Sequence, residues 1–522
     1  MKKIILSQES LNHPQNWPPG YKLPGYNIPQ MVHQTKEAPT WLHIGVGNIF
    51  RIFVAGLQHD LLEAGHTQKG IIAYEPYDEG IIPASIAPYD NLTLAVSLNA
   101  DGNMEKRVIA SIAEAFALDV PRLMKVVAEP SLQLISFTIT EKGYAVNPAS
   151  VCASPCKAVT AMEQVTAGLF ARFEAGAPPL ALVAMDNFAE NGTKVAQAAE
   201  AIAAAWHKNG SVPAEFIGYV KAQSYPWTMI DKITPQPSSV VVEILEKEGY
   251  ASTQITKTEK HTTVASFVNA EGPQYLIVED DFPNGRPPLE KALGRGVYLT
   301  DRETVRKADQ MKVCACLNPL HTVLGVSGSL LNYPTIAACM QDKRLVALIT
   351  KAAEEAMPTV AHPGIINPQD FLREVVTQRF PNPFIPDAPA RINMDASQKI
   401  PVRFGVTLQS RKAAGLDIAG LEAIPRFVAL WLRYRMGKDD TGAEMALSPD
   451  PRLPEAVLPM SDVQLGESAK AADLCPILSD AAIFGVDLYA VGLAAKVEEI
   501  FAQLASKPGA VSDALTAWYG NK

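Results

Sequence analysis

The chain has 522 residues, 48% of them hydrophobic and 19% charged, and its formal net charge is −9 at pH 7. That length exceeds the roughly 250 to 300 residues at which a single core usually divides, so two large domains are expected. An acidic balance without a Lys/Arg stripe disfavours nucleic acid and anionic membrane surfaces as partners, and no uninterrupted apolar run approaches the ~18 residues of a membrane span.

In chain order, residues 1 to 40 are rich in Pro, Asn and Gln and read as an extended arm over the first domain. The opening Ile4-Ile5-Leu6 is shorter than the ~7 to 15 residue apolar core of a signal peptide, and six cysteines are too few for a disulfide scaffold, so a reducing cytoplasm is expected. From Trp41 to about 235, apolar strand-like runs alternate with helical patterns. The strands are expected at Trp41 to Val46, Gly70 to Tyr74, Leu92 to Ser97, Leu132 to Thr140 and Leu180 to Met185, with helices at Ile49 to Leu62 and Thr193 to Trp206. This alternation predicts a mainly parallel, doubly wound α/β sheet. Short strands follow at Gln254 to Thr258, Thr262 to Phe267 and Gln274 to Val278. Helical patterns then dominate, at Arg344 to Ala356, Leu421 to Met436 and Ala481 to Leu504. The expected domains are 1–298 and 299–522, the second mostly α-helical.

Gly45 and Gly47 supply the first two glycines of a dinucleotide fingerprint, while Phe50 stands where the third would be. A glycine turn between strand and helix lets backbone N–H groups approach a pyrophosphate. Glu75, after the next apolar run, is placed to accept ribose hydroxyls, which would favour NAD over NADP. Thr138-Ile139-Thr140-Glu141-Lys142-Gly143-Tyr144 and Asp186-Asn187 follow two further strands, where ligand crevices form, and Asn191-Gly192 opens a helix. Of these asparagines one is expected to cap its helix and the other to donate its amide N–H to a substrate oxygen. Asn318 and His321, three apart, share a helix face, whereas Lys312 lies roughly 180° from His321 on an ideal helix. A one-residue bulge before Asn318 would swing the lysine back. The bland alternative is a surface lysine beside a capping asparagine and a core histidine. Metal chemistry finds little support: Cys152 and Cys156 lack a matching Cys/His pair, and His43, His59 and His66 form no convincing zinc set. The one Tyr-x3-Lys pattern, Tyr434 to Lys438, is interrupted by Gly437.

Taken together, the chain resembles the polyol-specific long-chain dehydrogenase/reductase family over about residues 40 to 510. The resemblance is carried by the Gly45 to Arg51 turn, Thr138 to Tyr144, Asp186-Asn187 with Asn191-Gly192, and Asp231-Lys232-Ile233-Thr234-Pro235. Val278 to Pro283 with Gly285-Arg286-Pro287, Lys312/Asn318/His321, and Arg391-Ile392 with Asp395, Ser397, Lys399 and Pro401 complete it. It implies a Rossmann-type NAD-binding domain, a mostly helical second domain, and an active site between them that works without metal. Lys312 would be the general acid/base; Asn187 and Asn318 would hold the developing alkoxide, and His321 would position the substrate. Arg391, Asn191, Asp231 and Lys399 would bind or support substrate. Gly45, Gly47, Asn48, Ile49, Phe50, Arg51, Glu75 and Thr140 would bind cofactor. The family pattern has five steps between lysine and asparagine, and this chain has six.

A lysine accepts protons near neutral pH only where burial or positive neighbours favour its neutral form. Among family substrates, the basic residues Arg391, Lys399 and Arg403 favour a carboxylate-bearing ketose, fructuronate reduced to mannonate. Fructose/mannitol and tagaturonate are the alternatives, and an NAD-binding regulatory protein without turnover is the non-enzymatic one. A monomer is expected.

Overall fold

The computed structural model describes residues 3–292, 294, 296–450, 463–466 and 473–520. It comprises two units, Met1–Arg306 and Lys307–Lys522.

In the first unit, β1 (Trp41–Ile44), β2 (Ile71–Glu75), β3 (Ile112–Ala117), β4 (Leu134–Phe137) and β5 (Ala181–Ala184) form a parallel sheet in the order β3-β2-β1-β4-β5. This is the doubly wound arrangement, and the strand order reverses between β1 and β4, where such sheets bind ligands. Alternate side chains feed two cores, one on each face. Trp41, Ile71, Ala73, Leu134, Ala181 and Val183 enter one; Leu42, Ile44, Ile72, Tyr74, Ile135, Phe137 and Leu182 enter the other. Burial on both faces explains why these strands read as continuous apolar runs. Helices Val120–Ala128 and Ala161–Glu174 make two of the crossovers. Their starts are fixed by Asp119, which accepts the Arg122 N–H, and by a Thr160/Glu163 capping box.

The expected strand Leu92 to Ser97 is present as Thr93–Leu98 but belongs to a second sheet, with Tyr21–Lys22, Met104–Ile109 and Phe267–Glu271. The N-terminal arm is also more structured than expected. It contains a helix, Ile28–Glu37, capped by Asn27 with Pro29 in its first turn. A third sheet joins Thr228–Asp231, Tyr275–Glu279 and Val297–Thr300. The pairing of Val297–Thr300 with Tyr275–Glu279 carries the first unit past the expected boundary at 298.

The second unit is built of helices, including Asn318–Leu330, Lys343–Ala356, Ala423–Arg435, Ala494–Leu504 and Ala510–Tyr519. The Glu355 carboxylate accepts the N–H groups of Glu422, Ala423 and Ile424 at 2.6, 2.8 and 3.0 Å, joining the end of one helix to the start of another. The expected continuous helix Ala481 to Leu504 is broken. Ala481–Phe484 ends at Gly485, whose φ of 76° no helix interior tolerates, and regular helix resumes at Ala494. Although it holds no uninterrupted apolar run of that length, the helical stretch Arg302–Leu330 is long and apolar enough to cross a membrane by length and composition. Burial of 72% of that window inside the protein marks it as a core helix.

Candidate active site

In the first unit, the glycine turn is held from below by a chain of hydrogen bonds. Trp41 Nε1 donates to Ser136 Oγ at 2.7 Å, and Ser136 Oγ lies 2.6 Å from His43 Nδ1. His43 Nε2 lies 2.9 Å from Thr138 Oγ1, which donates to the Gly45 carbonyl at 3.2 Å. Each hydroxyl has one proton, so the sequence of donors assigns His43 as the neutral Nε2–H tautomer. Burial agrees, lowering its pKa to about 3. The His43 ring also stacks on Phe50, with centroids 4.0 Å apart.

Gly45 has φ 98°, and a Cβ there would stand 2.5 Å from the Thr138 carbonyl oxygen, so β1 and β4 meet at a point that admits no side chain. Gly47 faces open space and precedes the helix, while Asn48 Oδ1 is buried without a hydrogen-bond partner. An open glycine, helix N–H groups and an orphaned acceptor fit a dinucleotide.

Four of the expected cofactor residues have partners within the protein. Glu75 is 5% exposed. Its Oε2 accepts the Val46 N–H at 2.8 Å, and its Oε1 accepts those of Tyr77 and Asp78 at 3.1 Å, so it shapes the turn. Burial raises its pKa, and these bonds oppose the rise. Arg51 is fully buried, donating to Thr93 Oγ1 and the Ser85 carbonyl from a π turn, Phe50–Val54. Desolvation brings its pKa down to about 10. Phe50 is a core residue, and Ile49 packs on the same core. Thr140 is exposed, with φ 65°.

Asp186, which the sequence reading left without a role, ties the ends of β4 and β5. It accepts the Ile139 and Thr140 N–H groups at 2.9 and 3.1 Å and the Tyr144 hydroxyl at 2.7 Å. Asn187 follows it, exposed. Asn191, expected to bind or support substrate, turns inward. It is fully buried, its Nδ2 donating to Thr228 Oγ1 at 2.9 Å and its Oδ1 accepting the Thr228 N–H at 2.9 Å. Asp231, at the end of the same strand, is 8% exposed.

In the second unit, a π turn, Lys312–Cys316, immediately precedes helix Asn318–Leu330. A π turn inserts one residue into α-helical register. It brings the angle between Lys312 and His321 from roughly 180° to about 80° at 100° per residue, which accommodates the sixth step in the Lys312 to Asn318 spacing. Lys312 is 1% exposed. Asn318 occupies the first helical position, partly exposed.

His321 Nε2 lies 3.1 Å from Asp387 Oδ2, and its ring sits against Phe380. Burial lowers the His321 pKa; Asp387 raises it, while Arg403 and Arg391 lower it further. The Asp387 carboxyl is pushed up by burial, but its bonds to His321 and Arg391 prevail and hold it below its ordinary value. Asp387 therefore links the expected His321 and Arg391, the latter through Nε at 2.5 Å. Arg391 lies on a short helix, Pro389–Ile392, seated against Gly325, where a Cβ would stand 2.9 Å from Ile392 Cγ2. Lys399 Nζ donates to the Met394 carbonyl at 2.5 Å; burial, then Arg403 and Arg391, depress its pKa. Arg403, on a further π turn, Pro401–Gly405, donates to Thr322 Oγ1 and, at 3.3 Å, to the Asn318 carbonyl. The two π turns pack on each other. The helix thus gathers Asn318, His321 and three cations. Asp387, missed in the sequence, follows no strand or motif there; only its position four before Arg391 hinted at an ion pair.

Residues 39–291 match the mannitol dehydrogenase Rossmann domain, and residues 304–505 match the mannitol dehydrogenase C-terminal domain. A D-mannonate oxidoreductase of Thermotoga maritima is 44% identical, covering 99% of this chain and 99% of its own length. A mannitol 2-dehydrogenase of Cereibacter sphaeroides is 29% identical over 77% of this chain and 82% of its own. Among solved structures, the Pseudomonas fluorescens mannitol 2-dehydrogenase ternary complex with NAD and D-mannitol is similar at a TM-score of 0.73 and 26% identity, covering 99% of this chain and 100% of that one. A substrate-free D-sorbitol dehydrogenase shares the fold at a TM-score of 0.80 and 22% identity, covering 98% and 99%. By both domains and by its full-length relative, the chain belongs to the mannitol dehydrogenase family.

Proposed function

We propose that the chain is an NAD-dependent oxidoreductase that interconverts a ketose-type sugar acid and its aldonate, with fructuronate and NADH giving mannonate and NAD. The observation that carries the sugar-acid assignment is the cluster of Arg391, Lys399 and Arg403 around His321 and Asn318. Asp387 answers Arg391, and Asp395 and Asp450 lie in the field of Lys399, so the charge left without a carboxylate is that of Arg403, which a neutral polyol would not compensate. The full-length similarity to a D-mannonate oxidoreductase and the similarity to a mannitol dehydrogenase bound to NAD support the same reading.

Gly45, Gly47 and Asn48, with Thr140 nearby in sequence to the β4 terminus, hold the dinucleotide. NADH bound there supplies the hydride for the ketone carbon. The Asn318 amide and Asn187 donate to the ketone oxygen as it gains negative charge, each such donor contributing about 3 kcal/mol in transition states of this kind. Lys312 delivers the proton to that oxygen and withdraws it in the reverse direction. His321, oriented by Asp387 through Nε2, presents its remaining nitrogen to a substrate hydroxyl. Arg391 and Lys399 provide charge for the carboxylate, and Asp231 is a supporting polar residue. A cytoplasmic location and a monomeric state belong to the same reading.

The test is NADH oxidation by the purified protein with fructuronate, tagaturonate and fructose in parallel. Fructuronate is expected to give the highest kcat/KM. Equal or faster turnover of fructose defeats the sugar-acid assignment, and NADH binding without reduction of any of the three favours a regulatory protein.

A further inference from the structure

Among the three cations around His321, two have acids at hand. Arg391 is bonded to Asp387, and Lys399 has Asp395 and Asp450 in its field while its ammonium caps the carbonyls of Ile392 and Met394. Arg403 differs. Among the described residues no carboxylate lies within ion-pair distance of it, and its contacts are neutral oxygens, the Thr322 hydroxyl and the Asn318 carbonyl. Both contacts use the same nitrogen, Nη1, which leaves Nη2 and Nε, one full edge of the guanidinium, without a bond. A partly buried guanidinium is stabilised when its donors and its charge are answered. Burial brings its pKa down to about 10, and no neighbouring carboxylate offsets that fall.

The placement suits a ligand. Thr322 lies one residue beyond His321 and four beyond Asn318, and Arg403 is tied to the backbone of Asn318 itself. The carboxylate of fructuronate stands four carbon–carbon bonds from its ketone, roughly 5 Å in an extended chain. A guanidinium anchored beside the residue that holds the ketone oxygen is within that reach. The planar edge of an arginine matches a carboxylate with two parallel hydrogen bonds, which a hydroxymethyl group cannot reproduce.

We propose that Arg403 is the specificity-determining residue of the site, receiving the substrate carboxylate on its Nη2/Nε edge and thereby selecting sugar acids over neutral ketoses. This rests on the sugar-acid reading of the site. Arg391, more exposed and already held by Asp387, contributes charge and not the primary fork.

The experiment compares wild type, Arg403→Gln, Arg403→Lys and Arg391→Gln, each saturated with NADH, using fructuronate and fructose. Arg403→Gln is expected to lower kcat/KM for fructuronate about 100-fold more than for fructose, chiefly through KM. Arg403→Lys, which keeps the charge without the fork, recovers part of that ratio, and Arg391→Gln changes it less than Arg403→Gln does. Equal losses on both substrates in the glutamine and lysine variants, with wild type still preferring fructuronate, overturn the proposal and make Arg403 a structural tie. A wild type that shows no preference for fructuronate overturns the functional reading instead, and the Arg403 assignment with it.

Discussion

Acid should loosen the floor of the cofactor turn through one residue, His43. Its pKa falls from 6.5 to about 3 on folding because burial excludes the charged form. Protonation would also set a second N–H against Ser136, whose own proton is already directed at Nδ1. The unfolded chain binds a proton below pH 6.5 while the native ring does not, so stability declines as pH falls through that window. A depression of this size corresponds to about 5 kcal/mol at the acid limit, and to about 2 kcal/mol between pH 7 and pH 5. His43→Gln keeps hydrogen-bonding capacity without titrating. Hydrogen–deuterium exchange of Trp41–Ile44 and Leu134–Phe137, corrected for intrinsic rates, reads the local opening free energy of both proteins at the two pH values. The wild-type advantage should shrink by about 2 kcal/mol at pH 5. Parallel behaviour of the two proteins would refute the assignment of a neutral, load-carrying imidazole.

Three further outcomes are expected. Gly45→Ala forces a Cβ towards the Thr138 carbonyl at a positive φ, strain of about 1 to 3 kcal/mol, and should weaken NADH binding about tenfold or more in a fluorescence titration; an unchanged Kd would contradict the turn's role. Asn191→Ala strands the buried partners on Thr228 and should destabilise the protein by about 2 to 4 kcal/mol in chemical denaturation without raising KM for the sugar; a KM effect without a stability loss would restore it as a substrate contact. Asp387→Asn removes the group that favours the imidazolium, so the His321 pKa, followed by NMR of the ring protons, should fall further below 6.5; an upward shift would contradict the pairing.

Much of this architecture was legible because burial on both sheet faces writes itself into sequence as uninterrupted apolar runs. All five expected strand positions are occupied, although Thr93–Leu98 lies in another sheet. The strand Ile112–Ala117 was hidden by Glu114, which an ion pair with Arg122 accommodates. Met104–Ile109 was hidden by Glu105, Lys106 and Arg107, each paired to a distant partner. Site residues were harder. The glycine turn declares a backbone requirement and could be read directly, but sequence does not show which way the polar side chains around it point. Arg51 turns into the core and Glu75 into the backbone because unbonded N–H and C=O groups there demand partners. The bulge that would swing Lys312 round towards His321 is present as the π turn at Lys312, whereas Asp387 pairs with His321, and Arg403 enters its field, through folding of segments far apart in the chain.

Lys312, brought round by its π turn, is proposed to move the proton to and from the substrate oxygen. Lys312→Met tests it when NADH affinity and reduction of fructuronate are measured on the same preparation. NADH should bind with a Kd near that of wild type while kcat/KM falls by about 10² to 10⁴. Reduction within tenfold of wild type at full NADH occupancy would contradict the claim and leave the proton to another group.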